Sequence, residues 1–321
     1  MPIARGGTPA SSERCGGEGT TPRWRLFNCC RLGVTRVALL LQYRGTNYKG
    51  WQTQPNGLAV QEVLERCLQE LHGHPVAVCG AGRTDTGVHA SGQVAHFDTD
   101  LGIPPERWAR VLNTVLPKDM AVRASAAVSA DWHARFTAIA RSYRYTIYSE
   151  AEPNLFIRDF SWHYYYDVLD EERMDAALQP LLGEQDLAAL RRSGSPRPHS
   201  QVNVWAARCR RQHPFVWVDV QASGFLYGMM RLLVGLLVEV GTGRRSVADF
   251  TRIWQERRRE EVRYAAPPQG LCLVRVDYPV DPFAGGMGVR ARDGTESIVQ
   301  LGTLIQGLGV QGLGSSKGVQ Q

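Results

Sequence analysis

The stretch Gly80 to Phe97, GAGRTDTGVHASGQVAHF, gathers Arg83, Asp85, His89, Gln93 and His96 around four glycines at 80, 82, 87 and 92. Asp85 opens an Asp-Thr-Gly triplet, which is also how aspartic proteases carry a catalytic carboxylate. Protease chemistry needs two carboxylates sharing one proton, because adjacent like charges cannot both ionise. A two-lobed protease of 321 residues would carry a second Asp-Thr-Gly or Asp-Ser-Gly, and this chain has none. Arg83, two residues before Asp85, would also upset a shared proton. Asp85, His89 and His96 have residue types that suit zinc, but their spacing fits no compact ligand motif, and strand alternation splits the two histidines. Nucleotide binding fares no better: GAGRTD lacks the last glycine of G-x-G-x-x-G, and no G-x-x-x-x-G-K-[ST] occurs. Two readings remain open. Asp85 caps its own Gly-rich turn, or the glycines let backbone approach a ligand that the polar side chains contact.

The elements around this stretch decide how Asp85 is held. VAVCGAG reads as a strand entering the loop and SGQVAHFDT as a strand leaving it, so Asp85 lies on a strand–loop–strand excursion. Upstream, Val37 to Tyr43 is a β-rich run that meets a Gly/Asn turn. Val60, Val63, Leu64, Cys67, Leu68 and Leu71 recur at helical spacing up to Gly73, predicting an amphipathic helix. PPERWARVLNTVLP reads as a helix bounded by prolines, and Tyr143, Tyr145 and Ile147 alternate as in a strand. DEERMDAALQPLLG predicts a helix capped by Asp170, and SVADFTRIWQERRRE one capped by Ser246. The apolar run from Leu232, LLVGLLVEV, is too short to span a bilayer and predicts a buried helix behind Arg231. APPQGLCLVRVDYP reads as a closing strand. Strands and helices are interspersed without a regular βαβ rhythm, which implies an α+β fold with two lobes of mixed and antiparallel sheet.

The divisions expected are a leader over 1–34, a lobe over 35–130 carrying the Asp loop, a second lobe over 131–280, and a Gly-rich tail over 281–321. The formal net charge is +6, of which residues 1–34 hold +3, so an anionic partner must be argued from local patches. Seven cysteines without a C-x-x-C pair indicate reduced thiols rather than a disulfide framework. The Arg, Ser, Thr and Gly content of the leader reads as a disordered segment or a mitochondrial transit peptide, with cytoplasmic or nuclear residence as the alternative.

GRTDTGVHASGQVAHF resembles the signature loop of the tRNA pseudouridine synthase A (TruA) family. YRGTNYKGWQTQ, LNTVLPKDMAV, DWHARFTAIARSYRYTIY, GFLYGMMRLLVG and APPQGLCLVRVDYP follow the family's segments in the same order, from about Arg36 to Pro279. The resemblance implies a pseudouridine synthase fold with a cleft between the lobes. It also implies isomerisation of uridine, in which the N1–C1′ bond breaks, the base turns and C5 joins C1′, with no cofactor and no metal. By the same resemblance Asp85 is the essential carboxylate, Arg231 its partner on the second-lobe helix, and Tyr143 the tyrosine that packs on the target base. An Arg one turn into so apolar a helix is costly without a partner, which agrees with that assignment. Arg83 is read as gripping the flipped nucleotide or ordering the loop, with a backbone-phosphate contact as the alternative. The partners implied are RNA, with tRNA before mRNA, and a second copy of the chain, but no membrane. Arg141, Arg144, Lys49 and Trp51 are candidates to line the cleft, and RCRRQH near Arg208 and ERRRE near Arg257 are candidate phosphate contacts or merely solvated faces.

The chain departs from the family pattern at Gln185 and Leu187, where His and Phe are usual, at Gly228, where a larger polar residue is common, and in RRSGSPRPHSQ. These departures leave a catalytically inactive RNA-binding relative, or a ribosome-associated one, as the alternative function.

Overall fold

The computed structural model describes residues 33–194 and 198–284; the leader before Gly33 and the tail beyond Ala284 lie outside the described residues. One ten-stranded sheet organises the molecule. In chain order the strands are β1 (Thr35–Tyr43), β2 (Cys79–Gly80), β3 (His89–Thr99), β4 (Met120–Val128), β5 (Ala140–Tyr148), β6 (Trp162–His163), β7 (Gly183–Asp186), β8 (Gln201–Gln212), β9 (Phe215–Ala222) and β10 (Leu271–Asp277). The helices are α1 (Val60–His72), α2 (Trp108–Leu112), α3 (Glu171–Leu178), α4 (Met229–Gly241) and α5 (Val247–Gln255). The strand order is β4-β1-β3-β10-β5-β9-β8-β7, with β2 on β3 and β6 on β5.

β10 joins the two halves of the sheet. It runs parallel to β3, pairing Leu273 with Ala90, and antiparallel to β5, pairing Leu273 with Tyr143. The start of β3, which carries the Asp loop, is thereby set in one row with Tyr143. Most other pairings are antiparallel, as expected of an α+β fold.

The local signals hold at several elements. α1 ends at Gly73, whose φ of 76° is the left-handed cap that glycine adopts without strain. The side chains of Asp170 and Ser246 accept the backbone N–H of Arg173 and Asp249 at the starts of α3 and α5. α4 is buried nearly all round, with Arg231 and Glu239 the exceptions. Each of its fully buried leucines contributes about 1.5–3 kcal/mol of burial, which makes the helix a fixed platform for Arg231.

One expectation is corrected, and one strand is added to those expected. The proline-bounded helix is only one α-turn long, preceded by a 3-10 turn, Pro105–Arg107. Asn113 ends it by turning its amide onto the backbone of Val122, donating to the carbonyl and accepting from the N–H, both at 2.8 Å. MAVRASAAV is an edge strand, β4, although its alanines carry little strand signal.

Candidate active site

Asp85 sits on a turn braced from three sides. From β1 and the loop after it, Trp51 N–H donates to the Thr84 carbonyl (3.0 Å) and the Gly87 N–H donates to the Tyr48 carbonyl (3.2 Å). From below, the Tyr43 and Thr84 hydroxyls bond at 2.9 Å, while Gln93 donates to the Gly82 carbonyl at 2.8 Å. From the second half, the Arg141 guanidinium donates to the Ala81 carbonyl at 3.0 Å. Gly50 explains how closely these pieces approach. Its φ is 87°, and a Cβ there would lie 2.5 Å from the Thr84 carbonyl oxygen and 3.1 Å from the Asp85 carbonyl carbon.

Arg231, from the first turn of α4, faces Asp85 with Nη1 3.7 Å from Oδ2. The side chains are 15% and 17% exposed, so both are screened from solvent without being sealed. Arg231 is aimed by a second bond, since its Nε donates to the Ala266 carbonyl at 2.7 Å, while its own carbonyl accepts the Ala266 N–H at 2.8 Å. Burial pushes the Asp85 carboxyl above the ordinary carboxylate range, and the positive charges of Arg231 and Arg192 oppose that rise. The result is a single, partly screened carboxylate whose ionised form burial opposes and two cations favour.

Tyr143 completes the constellation. Its ring is buried and meets Phe225 edge-on, with centroids 4.6 Å apart. Burial, followed by the neighbouring Tyr43 and Asp85, raises its phenol above the ordinary tyrosine value. The hydroxyl therefore stays protonated, and the ring is an apolar wall beside the carboxylate. Arg83 is exposed on the rim of the loop, and among the described residues no group bonds its guanidinium.

Other sequence candidates fall elsewhere. His89 and Gln93 hold the scaffold rather than a ligand: Nδ1 of His89 accepts the Gly45 N–H at 3.0 Å, and Gln93 is 0% exposed. Trp51 is core, packed against Gly80, where a Cβ would lie 2.4 Å from the indole. Lys49 remains exposed. Arg141 spends its guanidinium on the carbonyls of Ala81, Arg135, Ala138 and Ser223. Arg144 alternates to the opposite sheet face from Tyr143, where it grips Asp219 with two bonds (2.6 and 2.9 Å) and lies over Trp217. That face carries a separate groove of about 750 Å³, lined by Arg44, His89, Arg144, Phe160 and Trp217 among others. Asp85 is not part of it. Arg208, Arg210 and Arg211 pair with Asp175, Asp219 and Glu171, and Arg257 and Arg258 pair with Asp186 and Glu260. Both basic runs are thus ion-paired surfaces.

Among the described residues, one group offers metal-ligand chemistry: Cys79, His96 and His133, whose donor atoms lie within 4.8 Å of one another. Both imidazoles accept a backbone N–H at Nδ1, from Ala134 (3.2 Å) and Arg135 (3.1 Å). Their protons consequently sit on Nε2, and neither ring offers a lone pair without losing its bond.

The residue that sequence reading missed is Arg192. Its charge acts on Asp85, but it lies far from the loop in sequence, and only the fold brings it there.

The sequence profile of the tRNA pseudouridine synthase family matches residues 40–137 and 177–279, more than half of the chain. Among curated proteins, tRNA pseudouridine synthase A of a Nostoc species is 58% identical over 77% of this chain and 88% of its own. The Synechocystis protein of that name is 56% identical over 78% and 92%, and that of Gloeobacter violaceus 54% over 81% and 86%.

Proposed function

Because the chain belongs to the tRNA pseudouridine synthase A family, whose members isomerise uridine in RNA, we propose that Asp85 carries that reaction in a cleft closed by Arg231 and Tyr143. The protein is an isomerase, and its substrate is tRNA. The single observation that carries the site assignment is the geometry at Asp85: one largely screened carboxylate, no second carboxylate acting on it among the described residues, and a cation held at 3.7 Å by its own backbone bond.

The chemistry needs what this arrangement supplies. The uridine leaves its stack and enters the cleft. The N1–C1′ bond breaks, the base turns within the pocket, C5 bonds to C1′, and the proton on C5 is lost while N1 gains one. Substrate and product are isomers, so no water, oxidant or external group is consumed. An ionised carboxylate at Asp85 acts as the nucleophile or stabilises the cleaved sugar, and Arg231 keeps it ionised where desolvation favours the neutral acid. Tyr143 packs its ring along the base, holding it during the turn, and the exposed Arg83 grips the flipped nucleotide.

Base-resolved pseudouridine mapping tests the assignment in cells carrying the wild-type protein or Asp85→Ala. Pseudouridines absent from the variant alone identify the target. If every site persists, Asp85 does not carry the reaction. The catalytically inactive alternative has no support in the site, since Asp85, Arg231 and Tyr143 are all present.

Two finer points belong to the same proposal. A homodimer is supported by exposed apolar side chains, including Leu155, Phe156, Tyr166 and Val168, and is read directly by sedimentation equilibrium. A mitochondrial destination is supported by the composition of residues 1–34 alone. Import of a 1–34 fusion into isolated mitochondria, with chloroplasts as the comparison, decides it.

A further inference from the structure

α4 begins on a glycine that is shaped by another residue's side chain. Gly228 is the N-cap of α4 with φ 71°, a left-handed conformation that side chains other than Asn or Asp rarely adopt. A Cβ built there would lie 2.4 Å from Cδ and 2.6 Å from Cγ of Arg192. The stem of Arg192 therefore fills the space a side chain at 228 would take. It is pinned in register by its own N–H, which donates to the Tyr227 carbonyl at 2.9 Å, and its guanidinium lies 5.6 Å from the centre of the Tyr227 ring.

Three residues further along the same helix, Arg231 meets Asp85. The notch at Gly228 thus opens at the helix end that borders the carboxylate. Among the described residues, no carboxylate or carbonyl takes the guanidinium of Arg192, unlike the ion-paired arginines of β8 and the segment after α5. Arg192 is close enough for its charge to oppose the burial-driven rise of the Asp85 carboxyl, yet it forms no ion pair with that group. A planar, permanently charged five-donor group beside an active carboxylate, without a protein acceptor, is suited to an oxyanion supplied by the substrate.

Resting on the reading of this cleft as the uridine site, we propose that Arg192, seated in the notch left by Gly228, binds a phosphate flanking the flipped uridine and is a further substrate-holding residue. Arg231 then serves the carboxylate and Arg192 the backbone of the nucleotide, so two cations at one helix end have separate tasks.

The test uses the full chain and an unmodified tRNA transcript carrying tritium at uridine C5, which is released when C5 bonds to C1′. Arg192→Ala is expected to raise KM about 10- to 100-fold, as for loss of a charged hydrogen bond, with kcat within a few-fold of wild type. It should also flatten the dependence of log KM on log salt by about 0.7–0.9, the value for one phosphate contact. Arg192→Lys should recover part of the loss. Gly228→Asn, which tolerates positive φ but fills the notch, should reproduce the defect, and adding it to Arg192→Ala should raise KM no further. Melting curves of each variant separate this from unfolding. The proposal is overturned if KM and its salt slope are unchanged in Arg192→Ala. It is equally overturned if only kcat falls and the acid limb of the pH profile moves up, because Arg192 would then act through the charge of Asp85. A wild-type protein that releases no tritium from any transcript would instead sink the uridine-site reading itself.

Discussion

At the scale of single residues, the site balances stability against chemistry at Asp85. Burial raises its carboxyl above the unfolded value of 3.8 despite Arg231 and Arg192. A folded-state value above the unfolded one means that the folded chain binds the proton more tightly. The associated stability is fully present below pH 3.8 and is lost as the pH rises through the folded value. At neutral pH the ionised carboxylate therefore costs stability, and Asp85→Asn should melt at a higher temperature than wild type while losing activity. The difference should vanish near pH 3, and thermal melts across pH 3–8 check both halves. His96 has the opposite sign. Burial, with His133 and Arg36 adding to it and Asp98 opposing, lowers its imidazole to about 4 from 6.5. Its contribution is present above 6.5 and is lost as the pH falls toward 4; His96→Gln should flatten the acid limb of the stability profile. That Asp85, Tyr143 and Arg231 come together was legible because each lies within a string of distinctive neighbours. Arg192 was not, because its role depends on a side chain missing at Gly228, a complement between two distant segments that neither displays alone.

At the scale of elements, the Asp turn is less a loop than a part clamped between β1, β3 and the segment after β1. Gly50 is the tightest point of the clamp. In Gly50→Ala the new methyl would press on the Thr84 carbonyl, at a position whose φ already disfavours alanine. The expected result is a destabilisation of about 1–3 kcal/mol and a fall in kcat of roughly 10²-fold from displacement of Asp85. Because the RNA-facing surface is untouched, KM should change much less, and a steady-state comparison reads the split. Strands and helices with strong periodicity were legible, α1 and α4 above all. β4 and the shortened α2 were not, for a shared reason. Asn113 closes the helix by bonding to a strand whose alanines hide it, so each element is defined by the other rather than by its own composition.

At the scale of the whole molecule, the lobes are halves of one sheet rather than independent units. β3 has its inner neighbour in β10, which comes from the far end of the sequence. Residues 35–130 expressed alone would expose that edge of β3. The fragment is expected to aggregate or melt without a cooperative transition, whereas residues 33–284 melt cooperatively; calorimetry of the two distinguishes them. This joint was invisible in the sequence, since APPQGLCLVRVDYP announces a strand but not its neighbours. The position of β10 also sets a schedule for the nascent chain. Among the described strands the central one is the last to be translated, so β3 and β5 wait beside an empty seat until residue 277 has been made. At ~5–20 residues per second the wait after β5 is complete is roughly 6 to 26 seconds. During it, Tyr143 and the Asp loop have no common register, so the site cannot assemble until β10 has been made.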